Sequence, residues 1–301
     1  MEIRKLEVFC KVVELKSFTR AAEAVYLSQP TVSEHIRSLE LELDQKLLDR
    51  LGQEVVPTPV GRLLYKYAVK ILRMQHEALQ AVEQYGGKLV GRIKVGCGTI
   101  PGTYILPGLI GTFRKQHPSI KATLSINSSR IIAKNVIDGA LDFGVVGAKW
   151  NEHGLNWTEA FADQLTLVVH PDHPWAGKKS VSLKQLVSQP FIMRESESGT
   201  RRVIAQILEA GGLKESNLQE VAEIGSSAAV KEAVKSGIGV SILSGRAVSD
   251  EVDCGRLATV TVKGMQLERP FYLIRRKNRE LSPVAAVFYD YLLKEAERGV
   301  E

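Results

Sequence analysis

The stretch Ser17–Glu40, SFTRAAEAVYLSQPTVSEHIRSLE, decides the fold. It reads as two short helices joined by a tight turn at Val25-Tyr26-Leu27. Ser17 is positioned to cap a first helix carrying Ala21, Ala22 and Ala24, small residues that let a neighbouring helix approach closely. Ser28 caps a second helix, and Pro30 falls in its first turn, where a missing N–H costs little. Val32, Ile36, Leu39 and Leu43 then recur at helical spacing and form one buried stripe. The opposite face offers Gln29, Ser33 and Arg37, with Pro30, Thr31 and Glu34 beside them. A Gln amide can bond adenine edges, hydroxyls suit bases or phosphates, and Arg suits guanine or phosphate. The pattern predicts a helix-turn-helix with its recognition helix at 29–41, against the plainer reading of an ordinary helical hairpin.

The flanking residues complete a reading head. Ile3–Leu15 is a helix with Leu6, Phe9 and Val13 on the face that covers the other two. After the recognition helix, LDQKLLDRLGQEVVPTP folds back through Leu51-Gly52-Gln53-Glu54 into a small wing, with Arg50 and Gln53 as candidate DNA contacts. Thr58 and Pro59 then give an N-cap and a proline at the first helical position. Beyond them Val60, Leu64, Tyr67, Ile71, Met74, Ala78, Ala81 and Tyr85 alternate at spacings of four and three, a heptad seam. Charged and polar residues such as Lys66, Lys70, Arg73 and Glu77 flank it, so the helix is read as a pairing helix. Leu64, Tyr67, Ile71 and Met74 form the centre of its dimerisation seam. Gly86 and Gly87 end it.

These residues resemble the LysR-type bacterial transcription regulators. The likeness is carried by FCKVVELKSFTRAAEAVYLSQPTVSEHIRSLELELDQKLLDR and VPTPVGRLLY, between Leu6 and Tyr65, and weaker features continue to the C-terminus. The resemblance implies a winged helix-turn-helix, a long dimerising helix and a two-lobed effector domain. Two positions depart from the family pattern: Gln53 stands where the wing usually carries arginine, and Glu34 where Arg or Lys is usual. Both departures remove phosphate contacts.

Composition fits this reading. The chain has 301 residues, 44% hydrophobic and 25% charged, a balance typical of a soluble globular protein of two or three domains. No apolar run approaches the roughly 20 residues that span a bilayer. MEIRKLEVFCKV is a charged amphipathic helix rather than a signal peptide. Cys10, Cys97 and Cys254 are widely spaced and odd in number, which suits a reducing cytoplasm. The net charge is +6, but residues 1–87 hold 12 basic and 12 acidic side chains, so the whole excess lies further on. DNA binding is therefore expected to rest on local placement of Arg37, Lys46, Arg50 and Arg62.

From Gly91 the pattern changes to alternating strands and helices. Arg92–Cys97, Ala122–Asn127 and Asp142–Val146 read as strands, with helices through FRKQHP and over Arg130–Asp138. A second set runs from about Leu165 to Thr261, and Phe271–Arg275 followed by a Ser282-capped, Pro283-started helix closes the chain. Such alternation predicts a parallel sheet with helices on its faces. Two lobes in one stretch resemble a periplasmic-binding-protein-like (type 2) fold, with the chain crossing near 162–168 and returning near 262–270. The expected domains are a winged head at 1–58, a dimerising helix and hinge at 59–90, and an effector domain at 91–301. Within the last, lobe 1 takes about 91–162 and 268–301, and lobe 2 about 163–267.

In open α/β sheets ligands sit beyond the carboxyl ends of strands, near lobe junctions. That places four loops together: Gly98–Pro101, Ser128-Ser129, Val146-Gly147 and Arg194–Arg201. The expected effector contacts are Thr99, Ile100, Ser128, Ser129, Val146, Arg194, Ser198, Gly199, Thr200 and Arg201. Ser198-Gly199-Thr200 precedes a helix, so free N–H groups and the dipole suit an oxyanion, with Arg194, Arg201 or Arg202 adding charge. A similar SGTR run occurs in LysR regulators linked to sulfur assimilation and carbon fixation. Glu195 and Glu197 weigh against a very acidic ligand unless they point away.

An enzyme finds little footing. No His/Cys cluster has metal spacing, no nucleophile motif is present, and no cofactor is expected. His170, Asp172 and His173 come closest to a metal pair but read as a turn. Cys97, at the pocket edge, is either a buried strand-end thiol or a redox sensor. The sequence thus predicts a cytoplasmic LysR-type DNA-binding regulator that responds to a small, anionic effector between two lobes. It is expected to bind a pseudo-palindromic site as a homodimer or, as the resemblance suggests, a homotetramer. The alternatives are a regulator that senses redox state through Cys97 or uses no ligand, and a solute-binding protein, which a leaderless chain with this head does not fit.

Overall fold

The computed structural model describes all residues except 52, 53, 86–88, 266, 300 and 301. The chain divides into two compact units, Met1–Lys88 with Asp138–Ala140, and Leu89–Ile137 with Leu141–Glu301.

The first unit opens with α1 (Ile3–Leu15), α2 (Phe18–Ala24) and α3 (Gln29–Leu43). Ser17 Oγ accepts the Arg20 N–H and Ser28 Oγ that of Thr31, so both predicted caps form. Leu6, Phe9, Val12, Ala21, Ala22, Val32, Ile36 and Leu39 build one core. Two expected members differ: Ala24 is exposed, and Leu43, one residue before the αL cap at Asp44, lies beyond the covered stripe. β1 (Leu48–Leu51) and β2 (Glu54–Pro57) pair antiparallel as the wing. Glu40 Oε1 accepts the N–H groups of Leu47 and Leu48 at 2.8 and 3.3 Å, which ties α3 to the wing.

α4 (Pro59–Tyr85) has two apolar faces. Leu64, Tyr65, Ala68, Val69 and Leu72 pack on the head core. Val60, Leu63, Tyr67, Ile71, Met74, Leu79 and Val82 are uncovered, Met74 at 70% exposure and Val82 at 73%. Leu64, expected in the seam, packs instead on the head core, and Leu63 stands on the uncovered face. Ala78 is exposed, whereas the side chains of Ala81 and Tyr85, and the capping glycines Gly86 and Gly87, lie outside the described residues.

The second unit alternates as predicted. β3 (Gly91–Cys97) leads through a π-helical turn at Pro101–Ile105 into α5 (Leu106–Gln116). β4 (Ile120–Ile126), α6 (Ser129–Asp138) and β5 (Phe143–Val146) follow. β6 (Leu155–Val169), β7 (Ser180–Val181), α7 (Leu183–Leu186), β8 (Pro190–Arg194) and α8 (Gly199–Ala210) come next. Then come β9 (Gln219–Ile224), α9 (Ser227–Lys235), β10 (Ser241–Ser244), α10 (Gly245–Asp253), β11 (Ala258–Val262), β12 (Glu268–Arg276) and α11 (Pro283–Glu297).

The sheet is mixed rather than parallel. β3, β4 and β5 run parallel, but β12 is antiparallel to both β5 and β6, and β10 and β11 are antiparallel to β6. The reason is the 15-residue β6, which pairs with β12 up to Gln164 and with β10 and β11 from Leu165 onward. One strand serves both lobes, and β12 returns beside it. Reversal of direction at these two crossing strands cannot be read from the alternation of element types. Among the described residues no helix is long and apolar enough to cross a membrane.

Candidate functional site

The reading face of α3 stands clear of the head core. Gln29, Pro30, Thr31, Glu34 and Arg37 are exposed and Ser33 is half-buried. Gln29 Nε2 donates to Ser33 Oγ at 2.9 Å, and the hydroxyls of Ser28 and Thr31 lie 2.8 Å apart. The face is thus held in a defined arrangement, with Gln29 Oε1 left to accept and Arg37 about two turns further on. Gln53 and the Arg50 side chain lie outside the described residues. Of the other local cations, Arg62 donates to the Pro57 carbonyl at 2.8 Å and Lys46 pairs with Asp49 at 3.2 Å.

In the second unit a small cleft gathers the ends of β3, β4 and β5, the N-termini of α6 and α8, and β12. Of the predicted contacts, Thr99, Ile100, Ser128, Ser129, Arg194, Ser198, Gly199 and Thr200 line it. Gly199 is required by close approach: a Cβ there would meet Ser129 Oγ at 2.6 Å and the Gly147 carbonyl carbon at 3.0 Å. Only glycine lets the start of α8 rest on the start of α6. Two helix N-termini then face one small space, each carrying partial positive charge. The Thr200 N–H is spent on its own cap, Ser198 Oγ, at 3.2 Å. Ser128 Oγ is buried and has no hydrogen-bond partner among the described residues.

Two expected contacts are placed elsewhere. Val146 is a core residue packed with Ile132, Val136 and Ile274, and its neighbour Gly147 lines the cleft instead. Strand alternation turns successive side chains to opposite faces. Arg201 turns away: it donates to Glu215 and Glu223 and to the Arg194 carbonyl, at 3.3, 2.6 and 2.9 Å. Burial works to lower its pKa, but Glu215, Glu223 and Glu220 outweigh burial and the net shift is upward. Glu195 and Glu197 do not line the cleft.

Arg194 is 2% exposed and its five N–H bonds are all engaged. Nε and Nη2 meet Glu195 at 2.8 Å each, Nη2 also reaches the Gly225 carbonyl, and Nη1 bonds Ser227 at 2.6 Å and Thr99 at 3.3 Å. The charge it brings is thus largely matched by Glu195. The residues that the sequence reading overlooked are Asn127, Phe271 and above all Arg269. Arg269, in β12, donates to Asp163 through Nε at 2.8 Å and to Thr200 Oγ1 through Nη1 at 3.1 Å, and its Nη2 pairs with Asp163 at 2.7 Å. The Ser244 hydroxyl donates to the other Asp163 oxygen at 2.5 Å. Burial lowers the Arg269 pKa, with Asp163 opposing it, and one N–H each on Nη1 and Nη2 has no acceptor among the described residues. An arginine directly ahead of the apolar run Pro270–Ile274 was the available signal.

Cys97 is fully buried, and burial pushes its thiol up to about 12, so little thiolate exists near neutrality. That disfavours the redox alternative. Among the described residues no group of three or more His, Cys, Asp or Glu could hold a metal ion. The His173 side chain contacts Gln189 and Trp175, and its backbone N–H donates to the His170 carbonyl at 2.9 Å, which makes the segment a turn.

A winged head with an exposed reading helix, followed by a two-lobed domain with a polar cleft, defines a ligand-responsive DNA-binding regulator. The chain belongs to the LysR family of bacterial transcription regulators. Residues 3–62 match the bacterial regulatory helix-turn-helix protein, lysR family, and residues 86–297 match the LysR substrate binding domain. It is 32% identical over 299 residues to a RuBisCO operon transcriptional regulator of Allochromatium vinosum, covering 99% of this chain and 97% of that one. The regulatory domain of CcmR from Synechocystis PCC6803, solved in complex with 2-PG, is 26% identical and superposes with a TM-score of 0.63. That match covers 69% of this chain and 98% of the domain. Full-length CbnR, at 20% identity and a TM-score of 0.72, shares the fold over 98% of this chain and 99% of its own.

Proposed function

We propose that the protein acts in the cytoplasm as a regulator without catalytic activity, whose DNA binding responds to a small anion held in the cleft of the second unit. The observation that carries this is the convergence of the α6 and α8 N-termini on a space that also holds the unpartnered Ser128 hydroxyl and Arg269. Helix N-termini and a buried guanidinium favour an oxyanion, and a hydroxyl can donate to it. The 2-PG complex of the CcmR domain supports a small-molecule effector here. Ligand that binds the cleft in one arrangement better than another shifts the regulator between them.

Calorimetry with sulfate, phosphate, short carboxylates and 2-PG tests the effector reading. Ser128→Ala with Thr200→Ala is expected to weaken binding of the best anion by about 2–4 kcal/mol, since bonds to charged groups contribute roughly 1.5–3 kcal/mol each. Binding of DNA by the ligand-free double variant should stay intact. Unchanged anion affinity would remove the cleft from consideration.

On DNA, Gln29, Thr31, Ser33 and Arg37 are assigned to base and phosphate contacts, with Pro30 and Glu34 alongside. Gln29→Ala is expected to cost roughly 1–3 kcal/mol on the specific site and almost nothing on scrambled DNA. A footprint on the promoter and titration of both duplexes give the comparison; equal losses on both would show that the helix does not read bases. The uncovered stripe of α4 supports pairing of two chains, as a dimer or a tetramer of two dimers, on half-sites related by a two-fold axis. The domain limits proposed are 1–58, 59–90 and 91–301.

A further inference from the structure

We propose that Arg130, Trp150 and Arg202 form a second, outer anion subsite beside the cleft, and that the effector accordingly carries two anionic groups. The proposal rests on the inner cleft being an anion site. Each of the three residues follows closely on a residue that lines the cleft: Arg130 after Ser129, Arg202 two beyond Thr200, and Trp150 three beyond Gly147. Three residues of chain span at most about 10 Å, so the backbone of each lies within about that distance of the cleft lining.

Its electrostatics are unlike those of its neighbours. Arg194 is matched by Glu195, Arg201 by Glu215 and Glu223, and Arg269 by Asp163. Arg130 and Arg202 have no carboxylate partner among the described residues. Both guanidiniums instead lie over one indole, 4.6 Å from the Trp150 ring centre for Arg202 and 5.7 Å for Arg130. Two like charges gathered on one ring repel each other, and an anion between them offsets that repulsion.

The donors point the same way. Trp150 Nε1 and Arg202 Nε are both shielded from solvent, and neither has an acceptor among the described residues. Buried donors are nearly always satisfied, so two orphans in one cluster call for an acceptor. A carboxylate or phosphate oxygen fits: it can accept from the indole N–H and from the arginine fork together. The inner cradle, with Ser128, Thr200 and Arg269, takes one anionic group; the outer cluster takes the other.

Calorimetry on the full chain with inorganic phosphate and with 3-phosphonopropionate, which adds a carboxylate to a phosphate-like end, tests this. Wild type is expected to bind 3-phosphonopropionate about tenfold or more tighter than phosphate. Trp150→Phe keeps a ring for both arginines and removes the N–H; it should cut 3-phosphonopropionate affinity about fivefold and leave phosphate affinity unchanged. Arg202→Gln should act in the same direction and more strongly. The subsite is overturned if wild type shows no preference for 3-phosphonopropionate, or if Trp150→Phe weakens both ligands equally or neither. Lower melting temperature with an unchanged affinity ratio would make the cluster a structural clamp and likewise overturn it. Failure of wild type to bind phosphate at all would fault the inner site, a different result from loss of the preference alone.

Discussion

Replacing Ile71 and Met74 with aspartate is expected to convert the protein to a monomer and to remove most of its affinity for promoter DNA. Both side chains sit on the uncovered face of α4, 37% and 70% exposed, on a helix whose other face packs on the head. An exposed apolar stripe of seven large residues is more than a solvated helix keeps without a partner surface. In a paired helix, aspartates at these positions would bury carboxylates against apolar neighbours, at a cost of several kcal/mol. The head should keep its fold, because Leu64, Ala68 and Leu72 are untouched. A monomer engages only one half-site, and the loss of linkage should cost roughly 10²–10⁴ in apparent affinity. Sedimentation velocity reports the assembly and a promoter titration the affinity. An unchanged sedimentation coefficient would assign the stripe some other role.

Asp163→Ala is expected to destabilise the second unit by about 3–5 kcal/mol, the usual cost of stripping one partner from a buried ion pair. The Asp163 side chain is fully buried and the Arg269 side chain 4% exposed, so the remaining guanidinium could not recover its charge partner from water. The same change frees the Ser244 hydroxyl and loosens Arg269 from Thr200. Both stability and effector affinity should therefore fall. Asp163→Asn, which retains one acceptor oxygen, should lie between the two proteins. Denaturant unfolding followed with and without phosphate separates the effects. A loss under 1 kcal/mol for Asp163→Ala would mean that the pair is neither as buried nor as important as its geometry implies.

Much of the architecture was legible along the chain because the signals are short-range. Ser17, Ser28 and Ser282 mark helix starts through a hydroxyl that reaches an N–H only a few residues on. The spacing of Val32, Ile36 and Leu39 sets a buried helical face without reference to any other segment. Gly199 also announced a special position, although the close approach that requires it involves Ser129 and Gly147, far off in the chain. The crossing strands were harder. In the structure β6 is one long strand, and nothing local in the sequence says that its first ten residues pair with β12 and its last five with β10 and β11.

The cleft divides along the same line. Eight of the ten predicted contacts line it because loop residues that follow strands reach one edge of the sheet. Val146 and Arg201 do not, since strand alternation and a trio of glutamates respectively direct their side chains elsewhere. Arg269 and Ser227 join the site from distant parts of the chain. The sequence by itself determined the winged head, the α/β alternation and the anion-friendly start of α8, all fixed by periodicity and capping within a turn or two. Only the tertiary structure decided which face of α4 stays uncovered, which arginines are matched by carboxylates and where Asp163 meets Arg269. Those outcomes depend on strand register and on which side chains arrive within bonding distance, and residues 106 apart carry no local mark of that meeting.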